Sequence, residues 1–173
     1  MTETGKELNP KKLLGLGILL LAFIIAVFAF LNRDREGLRE GQLLIKAEGV
    51  RLGVLTVDDL RKLPEVRKRM VINSTSGLTR HEFTGTPLAA VLDSVDHGLT
   101  QKYARIVTRG IDNYTSGVSM SEILRPDNVY VVYSDYGKPL KTKTGGEGTI
   151  QIVVCDDEFG QRFTNYLVSL ELQ

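Results

Sequence analysis

Cysteine, tryptophan and histidine are almost missing from this 173-residue chain: it has one Cys, no Trp and two His. One cysteine excludes an internal disulfide, so the fold must be held by its core. Neither His81 nor His97 has a second histidine or a cysteine at ligand spacing, which argues against a zinc site. No serine has a histidine and an acid placed in sequence to mark it as a nucleophile, although a triad assembled in space stays open. No sign of charge dominates, with 22 Lys and Arg against 21 Asp and Glu, and beyond residue 32 there are 19 of each. With no basic block, that balance argues against a nucleic-acid partner. There is also no internal repeat and no low-complexity run. The 42% apolar and 25% charged content is that of an ordinary globular chain with one domain.

The exception is one long apolar run, LLGLGILLLAFIIAVFAFL, residues 13–31, which has no charge or amide in 19 positions. At about 1.5 Å per residue it makes roughly 28 Å of helix, close to the hydrocarbon thickness of a bilayer. A cleaved secretory signal would have a shorter apolar region and a small-x-small exit, and a buried core helix would carry polar positions. The run is therefore expected to be a membrane-spanning anchor between a short tail (1–12) and a polar linker (32–41). Lys6, Lys11 and Lys12 on one side balance Arg33, Arg35, Arg39 and Lys46 on the other, so charge does not set the orientation.

The remainder, 42–173, predicts an α+β domain. Strands are expected at QLLIKAEG, VRLGVL, VRKRMVIN, YARIVTR, NVYVVYSD, TIQIVVC and YLVSLEL. TVDDLRKL predicts a short helix capped by Thr56, with Asp58 and Asp59 in its first turn. TPLAAVLDSV predicts a helix capped by Thr86, with Pro87 at its first position and Leu88, Val91, Leu92 and Val95 on one face. SMSE, with Ser119 and Glu122, is a capping box opening a third helix. Short strands outnumber short helices and do not alternate with long ones, which disfavours a doubly wound parallel sheet.

In this order, LTVDDLRKLPEV, HEFTGTPLAAVLDSV, RIVTRGIDNYTSGVSMSEIL, VYVVYSDYGKPL and IQIVVCDDEFGQRFTNYLVSLEL resemble the molybdopterin-binding domain of sulfite oxidase and its bacterial relatives. The resemblance runs from about residue 42 to 172 and is carried best by FTGTPLAAVL and GIDNYTSGVSMSEIL. It implies a sulfite-oxidase-type mixed sheet with packed short helices, here preceded by the transmembrane helix. In catalytic members a cysteine before the aromatic-Gly-x-Pro-Leu helix binds molybdenum as a thiolate, a soft anionic donor that hydroxyls and amides do not replace. The matching stretch here, MVINSTSGLTRHEF, offers Asn73, Ser74 and Thr75 instead of cysteine.

By position in the family's pocket, Ser74, Arg80 and His81 are the candidate cofactor-binding residues, with Arg80 and His81 expected in a loop. No catalytic residue and no metal ligand is assigned. Cys155 follows a strand and precedes Asp156, Asp157 and Glu158, which would raise a thiol's pKa, so it is expected to pack as a small hydrophobe. The DDEFG run lacks calcium-loop spacing and reads as a polar turn. KTKTGGEG lacks a following Gly-Lys-Ser/Thr and reads as a surface hairpin. Gly98 is expected to close the helix, and His97 before it to be a C-terminal helix residue favoured by the dipole. Asn73 and Asn113 lie in N-x-Ser/Thr sequences, which matter only on a glycosylating pathway.

Two functions compete. The first is a non-redox module, single-pass in the cell membrane through 13–31 with its domain outside the cytoplasm, that binds a small ligand or a protein partner and no cofactor. The extracytoplasmic location rests on the short tail and on family habit. The second is a membrane-anchored molybdopterin-dependent oxidoreductase that holds its cofactor without a protein thiolate, through groups such as Arg80, His81, Arg109 or Arg162. Whether the chain is an enzyme is left open between them, because a fold does not carry function by itself.

Overall fold

The computed structural model describes residues 10–31, 37–74 and 77–173. The expected tail and linker fall largely outside these residues, as does Thr75. Two units are present, one ending at Gly37 and one from Leu38 to Gln173. In the first, α1 (Pro10–Leu31) is a 22-residue helix whose Leu, Ile and Phe side chains are mostly exposed, Leu19 to 69% and Phe23 to 64%. Over the described side chains alone, no helix is long and apolar enough to cross a membrane.

The second unit is built from short strands. β1 (Gln42–Ala47) and β2 (Val50–Thr56) form an antiparallel hairpin. A single helical turn, α2 (Val57–Leu60), follows, capped reciprocally by Thr56 and Asp59. β3 (Val66–Ser74) and β4 (Gly77–Pro87) form a long hairpin that leads into α3 (Leu88–Asp93). After α4 (Leu99–Lys102), β5 (Arg105–Gly110) and β6 (Thr115–Ser119) form a third hairpin, closed by α5 (Met120–Ile123). β7 (Val129–Asp135), β8 (Lys138–Pro139), β9 (Gln151–Val154) and β10 (Leu167–Leu172) complete the domain.

Two sheets result. One has the order β2-β1-β10-β5-β6, with β1 and β10 parallel and the other pairs antiparallel. The other has the order β3-β4-β7, with β8 and β9 sharing the far edge of β7. A single core joins residues of both sheets, including Leu43, Ile45, Ile106, Leu170, Val131 and Ile152. β7 is buried from Val129 to Ser134, as expected of a strand covered on both faces, and α3 packs against β4 and β7 through Leu88, Val91 and Leu92. This is the mixed α/β arrangement of sheets and short helices expected from sequence.

Three local expectations need correction. Thr86 does not cap α3: β4 continues through Thr86 and Pro87, which pair with Val131 and Tyr130, and the Thr86 hydroxyl is buried without a protein partner. Gly85 explains why the strand continues. A Cβ there would lie 2.3 Å from the Val131 carbonyl oxygen, so only glycine lets β4 approach β7 at the register shift beside Thr84. The helix ends at Asp93, short of Gly98, so His97 is not a helix residue and instead binds Asp93 from beyond the end of α3 (Nδ1 to Oδ1, 2.6 Å). Finally, Arg80 and His81 are strand residues in β4 and not part of a loop.

Candidate functional site

A strand presents alternate residues to opposite faces, which separates the two neighbours Arg80 and His81. His81 and Phe83 face a cleft of about 690 Å³, lined also by Ile72 and Asn73 of β3, Asp135, Leu140, Gln151, Phe159, Gly160, Gln161, Phe163 and Asn165. Arg80 is exposed in a second groove with Arg69, Val71 and Tyr136, which His81 also borders. Ser74 stands at the hairpin end in register with Gly77. Of the candidates whose side chains are described, His81 lines the cleft and Arg80 does not.

The His81 ring is held at three points. Its Nδ1 lies 2.7 Å from Asp135 Oδ2 and its Nε2 lies 2.9 Å from Thr79 Oγ1, while its plane stacks on Phe83 at 4.9 Å between centroids and 2° between planes. The other Asp135 oxygen accepts the Glu82 backbone N–H at 3.0 Å. Because a carboxylate only accepts, Nδ1 must carry a proton, and the neutral ring then accepts the Thr79 O–H at Nε2. Asp135 was not anticipated from sequence. It lies 54 residues from His81 and reaches it only through the pairing of β4 with β7, in which Phe83 is registered with Asp135.

The opposite wall depends on the acidic run 156–158. Arg162, at the end of the 3₁₀ turn Gly160–Arg162, grips Asp157 through Nε and Nη2 and donates from Nη1 to Glu122 Oε1 at 2.8 Å. Glu122 Oε2 accepts the Ser119 backbone N–H at 2.9 Å, closing the capping box of α5. The Ser119 hydroxyl and backbone, with Arg162 after them, hold the Glu122 carboxyl at about 2. Tyr114 Oη donates to the Gln161 carbonyl, and Asp156 pairs with Arg125. The DDEFG run is thus a polar turn whose ion pairs fix Phe159, Gly160 and Gln161 against the cleft.

Arg162 and Arg109, which were candidates for anion binding, are both engaged, Arg109 with Asn113 Oδ1 at 2.8 Å. Cys155 follows β9, half-buried against the core, and is not among the cleft residues. Burial pushes its thiol pKa up, with Asp156 and Asp127 adding to the shift and Lys68 opposing it. The described cleft lining therefore offers four carboxamides (Asn73, Gln151, Gln161, Asn165), one engaged histidine, one carboxylate and a surface of Phe, Leu and Ile.

Residues 40–155 match the family described as oxidoreductase molybdopterin binding domain. No curated protein sequence matches the chain. Among solved structures, the fold is similar to that of the sulfane dehydrogenase SoxCD from Paracoccus pantotrophus, with a TM-score of 0.62 and 17% identity. That similarity covers 76% of this chain but only 37% of the other, so the chain spans little more than a third of that protein's length.

Proposed function

Because this chain belongs to the oxidoreductase molybdopterin-binding domain family, we propose that it is a member that uses the family's cleft to bind a small uncharged organic ligand rather than to run metal redox chemistry. The donor set carries this reading. Among the described lining residues there is no thiol for molybdenum and no guanidinium or ammonium for a pterin phosphate, and both nitrogens of His81 are occupied. Soft metal needs sulfur, and buried phosphate needs fixed cations. The described lining residues do not fit the cofactor.

They do fit a flat, neutral molecule. Phe83, Phe159 and Phe163 offer ring surface, and the four carboxamides offer paired donors and acceptors at its edge. We further propose that α1 spans a membrane, with the domain outside the cytoplasm. Its 22 residues make about 33 Å of helix, and most of its described apolar side chains are exposed.

The test is to purify the full chain from a host that makes molybdopterin. Molybdenum and pterin are expected far below one per chain, with saturation-transfer NMR showing binding of quinolin-2-one or indole that Phe159→Ala weakens. Molybdenum near one per chain would establish the oxidoreductase instead. Absence of fragment binding would refute the ligand reading.

A further inference from the structure

We propose that Thr79, His81 and Asp135 form a hydrolytic centre at the edge of this cleft, cleaving carboxylic esters whose acyl part is small and apolar. The inference rests on the cleft admitting a small organic molecule and goes beyond binding. Its basis is a continuous chain of hydrogen bonds, 2.9 Å from Thr79 Oγ1 to His81 Nε2 and 2.7 Å from His81 Nδ1 to Asp135 Oδ2. That order of hydroxyl, imidazole and carboxylate is the arrangement by which a base activates a nucleophile, and it recurs on unrelated folds.

Three features distinguish the chain from a simple structural tie. Asp135 is itself fixed by the Glu82 N–H, so the imidazole tautomer is set with Nε2 as acceptor. The ring cannot swing, because Phe83 stacks on it. Thr79 is exposed, so its hydroxyl needs no protein partner for solvation yet is directed to Nε2. Next to this chain the cleft supplies an apolar surface from Ile72, Phe83, Leu140 and Phe159, and carboxamides at Asn73 and Gln161 are of the neutral donor class that stabilises an oxyanion.

In the reaction, Thr79 Oγ forms a bond to the ester carbonyl carbon while its proton passes to His81 Nε2. The tetrahedral oxyanion collapses, the bond to the leaving alcohol breaks, and that alcohol takes the proton from His81. A water then gives a proton to His81 and attacks the acyl-threonine, releasing the carboxylic acid and restoring the Thr79 hydroxyl. Asp135 touches no reacting atom and acts as a positioning residue. Asparagine there would donate to Nδ1 and turn Nε2 into a donor, blocking proton uptake.

The full chain in detergent micelles is assayed with 4-nitrophenyl butyrate and labelled with a fluorophosphonate probe read by intact mass and peptide mapping. Turnover above buffer and micelles is expected, with the adduct on Thr79. Thr79→Ala and His81→Gln should lower kcat about 100-fold or more and abolish the adduct, while Thr79→Ser retains both. Asp135→Asn should lower kcat with KM little changed, which a merely structural loss would not produce. A wild-type rate equal to background, or an adduct and rate that survive Thr79→Ala, would overturn the proposal. Thr79 is exposed, so that variant decides the matter even if His81→Gln fails to fold. Direct binding of the non-hydrolysable 4-nitrophenyl butyl ether, read by saturation-transfer NMR, separates the two readings: ether binding without turnover removes the hydrolytic step alone, and absence of both binding and turnover removes both.

Discussion

At Thr86 a hydroxyl sits in a fully buried position with no protein partner, at the point where β4 passes against β7. A buried hydroxyl left unpaired costs about 1–3 kcal/mol, and valine fills nearly the same volume without it. Thr86→Val is therefore expected to raise stability by about 1 kcal/mol, seen as a higher thermal midpoint. An unchanged or lower midpoint would mean that the hydroxyl is satisfied by water. Its neighbour behaves oppositely. Gly85→Ala would place a methyl group 2.3 Å from the Val131 oxygen and 2.7 Å from the Val132 Cα. Backbone cannot yield as a flexible side chain can, so a loss of about 3 kcal/mol or more is expected in urea unfolding. These two residues give the Phe-Thr-Gly-Thr-Pro-Leu stretch a physical meaning: it drives one strand close against another before the helix begins.

The elements differ in how far their residues announce them. β1, β5, β7 and β10 alternate or run apolar because their faces are buried, and α3 shows Leu88, Val91 and Leu92 at helical spacing, so pattern reading finds them. β4 begins with four exposed residues, Gly77 to Arg80, and is held there by pairing with β3 rather than by burial, so nothing in its pattern says strand. β6 has Ser and Gly at an edge and is equally silent. The site inherits this difference. His81 stood out as one of two histidines, but its separation from Arg80 and its meeting with Asp135 require a strand and a register that the local sequence does not encode.

Element junctions carry a second prediction. Glu122 joins the cap of α5 to the turn at Gly160–Arg162, and its carboxyl is held at about 2 against an ordinary value of 4.5. A depressed folded pKa means the stabilisation is complete above the unfolded value and is lost as pH falls from about 4.5 toward 2, by protonation of a paired carboxylate. Its magnitude is on the order of 1–3 kcal/mol, the upper part reduced by solvent at a partly exposed group. Glu122→Gln should thus be less stable at pH 7 and show a shallower decline in thermal midpoint between pH 5 and 2.5 than the parent chain. Parallel declines would show that other carboxylates govern acid unfolding.

At the scale of the whole molecule, the unusual feature is an apolar helix in a chain whose other unit already has its own core. The domain buries its Leu, Ile and Val among themselves, and α1 leaves Leu19, Phe23 and Phe28 exposed. So much exposed apolar surface on one helix is unstable in water and calls for a lipid or protein cover. A bilayer is the proposed cover, since 22 residues approach the span it needs and no charge interrupts 13–31. If so, the chain should stay with membranes through alkaline carbonate and leave only in detergent. Replacing Phe23 and Ile24 with lysine adds a penalty of about 2.5–3.5 kcal/mol for each charge at the centre of a span. That double variant should appear in the carbonate-soluble fraction with the far-UV spectrum of the β domain intact. Release of the parent chain by carbonate would instead point to a protein surface as the cover for α1, and the extracytoplasmic placement would lose its support.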